Sequence, residues 1–340
     1  MYKVVCFGEL MLRLSPEGYN RFVQARKFDV NYGGSEANVA LSLANYGMHS
    51  YFVTKFPDNE IGQAAMNSLR QFGVDMSNCI MEGNRIGIYY MEKGASQRPS
   101  IVFYDRADSA IVNAKLDDFN WDAIFEDADW FHFSGITPAL SENLAEICLL
   151  ACQKAKEHDI IISCDLNYRS KLWSEDNANK TMTKLMKYVD VCIANEEDIE
   201  KVFSIKAKGS DVNKGKIDYN SYKEVAKNLL DKFNLQKVAC TLRTSITASD
   251  NKFAAMLYDG KEFFQSKEYS VHIVDRVGGG DSFVAGLIYG LLNNRSVQES
   301  LEFATAAGCL KHTIEGDYNL VSLDEVENLV DGNSTGRVQR

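Results

Sequence analysis

The chain has 340 residues, 45% hydrophobic and 25% charged, the balance of an ordinary globular protein with room for one large α/β domain. With 37 Lys and Arg against 47 Asp and Glu, the net charge of −10 argues against a broad nucleic-acid or anionic-membrane surface, so any anionic substrate needs a local basic pocket. The 8 cysteines form no Cys-x-x-Cys pair and several sit in apolar runs, as small buried hydrophobes of a reducing compartment do; with no signal-peptide layout and no run of bilayer length, the expected location is cytoplasmic.

Residues 3–7 read as a buried strand ending at Gly8. Residues 10–14 and 21–24 read as a hairpin turning through Ser15-Pro16-Glu17-Gly18, an excursion from the core. Gly33 and Gly34 lead into a helix over 39–46 closed by Gly47, and 51–54 is a second core strand. Asn59 caps a helix over 61–72, closed by Gly73. Residues 86–92 and 100–104 pair as strands. With the first hairpin they are expected to form a small β lid from segments 10–32 and 85–108. Its strands carry apolar residues on both faces (Ile86, Ile88, Tyr90, Val102), so a homo-oligomer contact through the lid is expected.

From residue 120 onward strands and helices alternate: strands at 130–134, 160–164, 191–193 and 238–242, helices at 141–157 and 179–187, and a short helix opened by Asn195. Such alternation predicts a parallel sheet covered on both faces, with ligands beyond the carboxyl ends of its strands. Residues 207–215 read as a polar surface loop. Ser296-Val297-Gln298-Glu299 is a capping box opening a helix of small residues that ends near Gly316 and admits a close helix or a flat ring. Residues 1–330 read as one domain and 331–340 as a polar tail. His132, in a core strand, reads as a satisfied buried histidine.

The chain is organised around Asp275-Arg276-Val277-Gly278-Gly279-Gly280-Asp281-Ser282-Phe283, followed by an apolar helix. Glycines let a backbone approach a ligand, and the helix start offers unpaired N–H groups to an anion. A carboxylate beside an anion site repels phosphate unless it takes a proton from an attacking hydroxyl while the N–H groups hold a transferring phosphoryl group. The plain alternative is a glycine-rich loop with Asp281 as an ordinary helix cap. P-loop, dinucleotide, protein-kinase and zinc signatures are absent.

The stretch resembles the signature of the PfkB (ribokinase-like) family of carbohydrate kinases, Asp-Thr-x-Gly-Ala-Gly-Asp-x-Phe, with Arg276 for the usual Thr and Gly279 for the usual Ala. The resemblance extends over nearly the whole chain. It implies a three-layer αβα core with a mainly parallel sheet and a β lid. It also implies Asp281 as general base, the N–H groups of Gly278, Gly279 and Gly280 as anion hole, and ATP with Mg²⁺; a monovalent cation such as K⁺ is a further candidate cofactor. Gly33-Gly34-Ser35-Glu36-Ala37-Asn38 is similar to the family's sugar-binding motif, where Gly33 and Gly34 let a sugar approach the backbone; a loop before a helix is the plain alternative. Asn195-Glu196-Glu197-Asp198 is similar to its Asn-x-x-Glu motif, with Asp198 as the implied metal residue on a shorter arm; the alternative is an acidic first helical turn.

Within the family, residues 133–141, Asp165-Leu166-Asn167-Tyr168-Arg169 with Leu172-Trp173, and Phe103-Tyr104-Asp105-Arg106 resemble the 2-keto-3-deoxygluconate kinase branch. Carried over, this points to Gly33, Gly34, Asn38, Tyr90, Tyr104, Arg106, Arg169 and Asp317 around a sugar acid. Asn167, Asn195, Thr241, Arg243, Gly278 and Gly280 fall on the nucleotide side. A guanidinium is the matching partner of a sugar-acid carboxylate. Transfer to fructose or ribose, and a sugar-binding regulator without transfer activity, remain open; ATP turnover separates the last from the others.

Overall fold

Short apolar runs pair into a sheet buried on both faces, and amphipathic segments cover it. The computed structural model describes residues 2–206 and 219–333. Its first strands are β1 (Lys3–Phe7), β2 (Met11–Pro16), β3 (Phe28–Gly33), β4 (His49–Val53), β5 (Lys55–Phe56), β6 (Ile80–Met81), β7 (Ile88–Glu92) and β8 (Ile101–Asp105). After them come β9 (Trp130–Ser134), β10 (Ile161–Asp165), β11 (Val191–Ala194), β12 (Lys237–Ser245), β13 (Asp250–Tyr258), β14 (Phe263–Gln265) and β15 (Tyr269–His272). The helices are α1 (Ser35–Asn45), α2 (Glu60–Arg70), α3 (Trp121–Phe125), α4 (Glu142–Glu157), α5 (Glu175–Leu185), α6 (Glu196–Phe203), α7 (Tyr219–Phe233), α8 (Gly279–Leu292), α9 (Val297–Lys311) and α10 (Leu323–Val330).

Strands β4, β1, β9, β10, β11 and β12 run parallel in that spatial order. The antiparallel β13 follows, with β14 and β15 beside it, so among the described residues the sheet has 9 strands and is mixed. In β1, Val4 and Cys6 face one apolar core while Val5 and Phe7 face the other. The first core holds residues of α1, α2, α8, α9 and α10, the second those of α3 to α7, which gives three layers. Helix α8 is apolar nearly all round because it lies inside. At Gly286 a Cβ would lie 2.8 Å from the Ala304 Cα, so the small residues of α9 admit the close approach of α8.

The lid is a separate sheet in the order β3-β2-β7-β8. Residues 21–24 are not a strand: Phe22–Gln24 is a 3₁₀ turn, and β2 pairs instead with β3, Met11 opposite Gly33 and Pro16 opposite Phe28. Asp29 and Asn31 disguise β3, an edge strand whose side chains are largely exposed. Helix α1 starts at Ser35, ahead of residue 39, and α5 at Glu175, where the Ser174 hydroxyl accepts from the Asn177 N–H. Helix α9 ends at Lys311, short of Gly316. The strands β13 to β15 and helices α7 and α10 were not foreseen. The expected loop at 207–215 and most of the tail lie outside the described residues. His132 is only half satisfied: Nδ1 meets the Ser163 hydroxyl at 2.9 Å, Nε2 has no hydrogen-bond partner among the described residues, and desolvation lowers its pKa to about 3, so it is neutral. All 8 cysteines are free thiols. Among the described residues no helix is long and apolar enough to cross a membrane.

Candidate active site

Backbone geometry builds the floor of the site. Gly278 takes φ +81°, a left-handed conformation, and N-caps α8. A Cβ there would meet the Asp317 carbonyl at 2.1 Å, so only glycine fits. This turn sets Asp281 in the first turn of α8, where the helix dipole favours negative charge. Helix α1 packs against α8 and presents two donors one turn apart. The Ser35 hydroxyl donates to Asp281 Oδ1 at 2.9 Å and the Asn38 amide to Oδ2 at 2.7 Å. The Asn167 amide supports Ser35 at 3.3 Å.

A cavity of ≈ 380 Å³ opens above Asp281, past the carboxyl ends of β1 and β9 to β12, a volume suited to a small polar ligand. Its lining brings together Gly33, Gly34, Asn38, Tyr104, Arg106, Asn167, Arg169, Asn195, Asp198, Thr241, Arg243, Gly278, Gly280, Asp281 and Asp317. Two candidates are placed elsewhere. Tyr90 points to the other face of the lid against Phe28, and its neighbour Tyr89 lines the cavity, because adjacent strand residues face opposite ways. Gly279 packs against His312, whose ring a Cβ would meet at 2.3 Å; the family's alanine cannot stand there beside this histidine.

The floor is rich in carboxylates. Desolvation pushes Asp281 up to about 6, against the hydrogen bonds from Asn38 and Ser35. Asp198 is likewise raised to about 6 by desolvation, with Arg169 acting against it. Asp165 is raised by desolvation and then by the charges of Asp198 and Asp281. Its carboxylate has no hydrogen-bond partner among the described residues, whereas Asp198 accepts from the Tyr168 N–H at 3.2 Å and the Asn195 amide at 2.8 Å. Glu36 is buried, its Oε1 accepting from the Ser134 N–H, the Ser134 hydroxyl and the Thr137 hydroxyl, which ties α1 to the end of β9.

Four arginines offset this charge inside an acidic protein: Arg106, Arg169, Arg243 and Arg276. They are not equivalent. Arg106 donates through Nε and Nη2 to Glu9 Oε2, and Ser109 holds the other Glu9 oxygen at 2.8 Å. Its charge is therefore already paired, and Tyr104 lies under it at 5.5 Å. Arg169 donates only to the Tyr168 carbonyl at 3.0 Å and pairs with no carboxylate among the described residues. Arg243 stacks over Phe253, and Arg276, the departure from the usual Thr, donates to the Ala248 carbonyl and faces the cavity. A second hollow, lined by Phe103, Tyr104, Arg106, Tyr168 and Arg169, adjoins the first at the edge strand β8 of the lid.

Asp317 is also committed. Its Oδ2 accepts from the buried Arg13 at 2.8 Å and its Oδ1 from Tyr89. A Cβ on Gly33 would meet Asp317 Oδ1 at 1.8 Å and one on Gly34 the Glu9 carbonyl at 1.9 Å, so internal packing alone demands this glycine pair. Reading the sequence missed Ser35, Glu9, Arg13, Tyr89 and Asp165. Ser35 carried a signal, one turn before Asn38 on the same helix face, and Asp165 stood at a strand's carboxyl end, two residues before Asn167; Glu9, Arg13 and Tyr89 had none short of the fold.

The carboxylates fit a divalent cation. Mg²⁺ takes oxygen ligands, usually one or two carboxylates beside substrate phosphates and water, and after desolvation the Asp198 charge is what most raises the Asp165 carboxyl. A free monovalent cation does not fit behind the glycine loop, because the Lys311 ammonium fills that carbonyl-lined space, donating to Ile314 at 3.1 Å and Gly316 at 2.9 Å.

The model of the family described as pfkB family carbohydrate kinase matches residues 1–323. The crystal structure of 2-dehydro-3-deoxygluconokinase from Thermotoga maritima is 51% identical, with a TM-score of 0.94 over 98% of this chain and 100% of that one. A PfkB family carbohydrate kinase from Listeria grayi is 34% identical with a TM-score of 0.90, over 97% of this chain and 99% of that one. The 2-dehydro-3-deoxygalactonokinase of Haloferax volcanii is 34% identical over 98% of each chain.

Proposed function

The chain belongs to the pfkB family of carbohydrate kinases, and from that premise we propose that it transfers the γ-phosphoryl group of ATP to the primary hydroxyl of 2-keto-3-deoxygluconate, giving 2-keto-3-deoxy-6-phosphogluconate. The observation that carries this reading is the pairing, in one cavity, of a helix-start carboxylate, Asp281, with an arginine, Arg169, that is in no ion pair with a carboxylate among the described residues. A sugar acid needs both: a base for its hydroxyl and a guanidinium for its carboxylate.

Asp281 takes the proton from the attacking hydroxyl, oriented by Ser35 and Asn38. The N–H groups of the 278–281 turn stabilise the charge of the transferring phosphoryl group, aided by the dipole of α8. Arg243 and Arg276 attract the nucleotide phosphates, with Thr241, Asn167 and Asn195 beside them. Asp198 and Asp165 would hold Mg²⁺, whose chemistry is to neutralise charge on the phosphates. Arg169 binds the substrate carboxylate. Arg106, held by Glu9, presents its remaining edge and the Tyr104 ring to the sugar. The lid covers the acceptor and excludes water, which would otherwise compete for the phosphoryl group. Its outer face exposes Val23, Phe28, Val30 and Phe103, which supports self-association through the lid; sedimentation showing only monomer at micromolar concentration would count against it.

The test is ADP release with 2-keto-3-deoxygluconate, 2-keto-3-deoxygalactonate, fructose and ribose. Preference for the gluconate-derived acid, lost in Arg169→Ala, is the expected result. Preference for the galacto epimer, which the Haloferax volcanii relative's name favours, would keep the clamp and change the substrate. Preference for a neutral sugar would remove Arg169 from its role. Silence throughout would leave a sugar-binding regulator.

A further inference from the structure

Lys311 closes α9 and is fully buried. Burying an ammonium is unfavourable unless its protons are taken up. Here they meet main-chain carbonyls, those of Ile314 and Gly316 in the turn after α9. The stem lies directly beneath the glycine loop: Lys311 Cε is 3.3 Å from where a Cβ on Gly278 would stand. The carboxylates of Asp275 and Asp317 flank it, bridged to one another by Arg13 at 2.7 and 2.8 Å. The Gly316 N–H closes the ring by donating to Asp275 at 3.2 Å.

A positive charge held by backbone carbonyls, near carboxylates and under an anion-binding turn, is the arrangement that holds a bare monovalent metal ion. Carbonyl oxygens replace the ion's water, and the charge keeps in place a loop whose dipoles would otherwise repel. In this chain the charge arrives on a side chain. Burial lowers the Lys311 pKa to about 8, with Asp275 and Asp317 pulling it up, so it is an ammonium at neutral pH.

We propose that the Lys311 ammonium is a tethered monovalent cation: it holds the 311–317 turn and the 278–280 loop in their phosphate-binding shape and makes catalysis independent of added K⁺. Lys311 acts through the loop and is a positioning residue. The proposal rests on the kinase reading and adds a property of the same site.

The test compares the full-length protein in choline buffer with the same buffer containing K⁺, NH₄⁺ or Na⁺. For the unmodified protein, kcat and the KM for ATP are expected to be the same in all of them. Lys311→Ala opens the space. In choline its kcat falls on the order of tenfold or more and its KM for ATP rises; NH₄⁺ or K⁺ restores much of both. Substrate-free melting gives an independent reading: NH₄⁺ and K⁺ raise the Tm of Lys311→Ala and leave that of the unmodified protein unchanged. This arm needs no sugar, so its failure is distinct from a wrong substrate assignment. Activation of the unmodified protein by K⁺, or a Lys311→Ala deficit equal in every cation, would overturn the proposal. Should Lys311→Ala not fold, the unmodified protein's response to K⁺ still decides against it or for it, and Lys311→Met, of similar volume without the charge, supplies the loss.

Discussion

Two groups of carboxylates meet at one glycine loop, and they are built differently. Behind the loop, Asp275 and Asp317 share the buried Arg13, with Lys311, Tyr89 and the Gly316 N–H around them. In front of it, Asp198 and Asp281 face the cavity with side-chain and backbone donors, Asp165 faces it with none, and among the described residues none of the three is in an ion pair. The rear group is complete within the protein and fastens the lid strand β2 to the core. The front group is offset only at a distance, by the charge of Arg169, and gains further positive charge when a metal ion binds. The difference teaches that burial of acid does not mark a site by itself; unbalanced acid facing a cavity does.

The sharpest way to break this comparison is at the front. Asp281→Asn is expected to lower kcat by roughly 10²–10⁴-fold while leaving sugar-acid binding nearly unchanged. Steady-state kinetics with a direct binding measurement check it, and near-normal turnover would sink the base assignment. At the rear the loss should be stability. Arg13→Met leaves two buried carboxylates without their counter-charge, and destabilisation of about 3–5 kcal/mol is expected in urea unfolding. An unshifted midpoint would mean the rear group does not fasten the lid.

A smaller effect separates the two arginines. Arg169→Ala is expected to raise the KM for the keto acid by roughly 10–100-fold and leave that for fructose alone. The smallest effect is on pH. Because Asp281 is raised to about 6, activity should fall as pH drops through that value and the base takes up a proton. Asn38→Ala removes a hydrogen bond to the ionised form, so the fall should move to higher pH, by less than about one unit. The stability term has the opposite sense. Between the ordinary carboxylate pKa and about 6 the folded protein binds the extra proton, so this group's contribution weakens as pH rises through that window. A pH profile unmoved in Asn38→Ala would detach the profile from Asp281.

Much of the fold was legible because its signals are local. The strand at Trp130–Ser134, the Ser141 cap of α4 and the Ser296 capping box follow from periodicity and cap chemistry within a few residues. β3 was misplaced because an exposed edge strand needs no apolar alternation. The strands after β12 were missed because their pairing is antiparallel and breaks the alternation used to read them. Within the site, Asp281 and its glycines were visible for the same local reason, while Tyr90 stood in for Tyr89 because the facing of a lid strand depends on its register.

The sequence alone determined where a glycine turn would feed a buried helix, and so where an acid would meet open N–H groups; Gly278, with its left-handed backbone, allows little else. It also determined the βα alternation that makes a layered sheet. The tertiary structure alone decided which charges cancel. Arg13 meets Asp317 across 304 positions of chain and Arg106 meets Glu9 across 97, and no periodicity reports such pairs. The physical reason is that charge balance is a sum over everything within a few ångströms, whichever part of the chain supplies it.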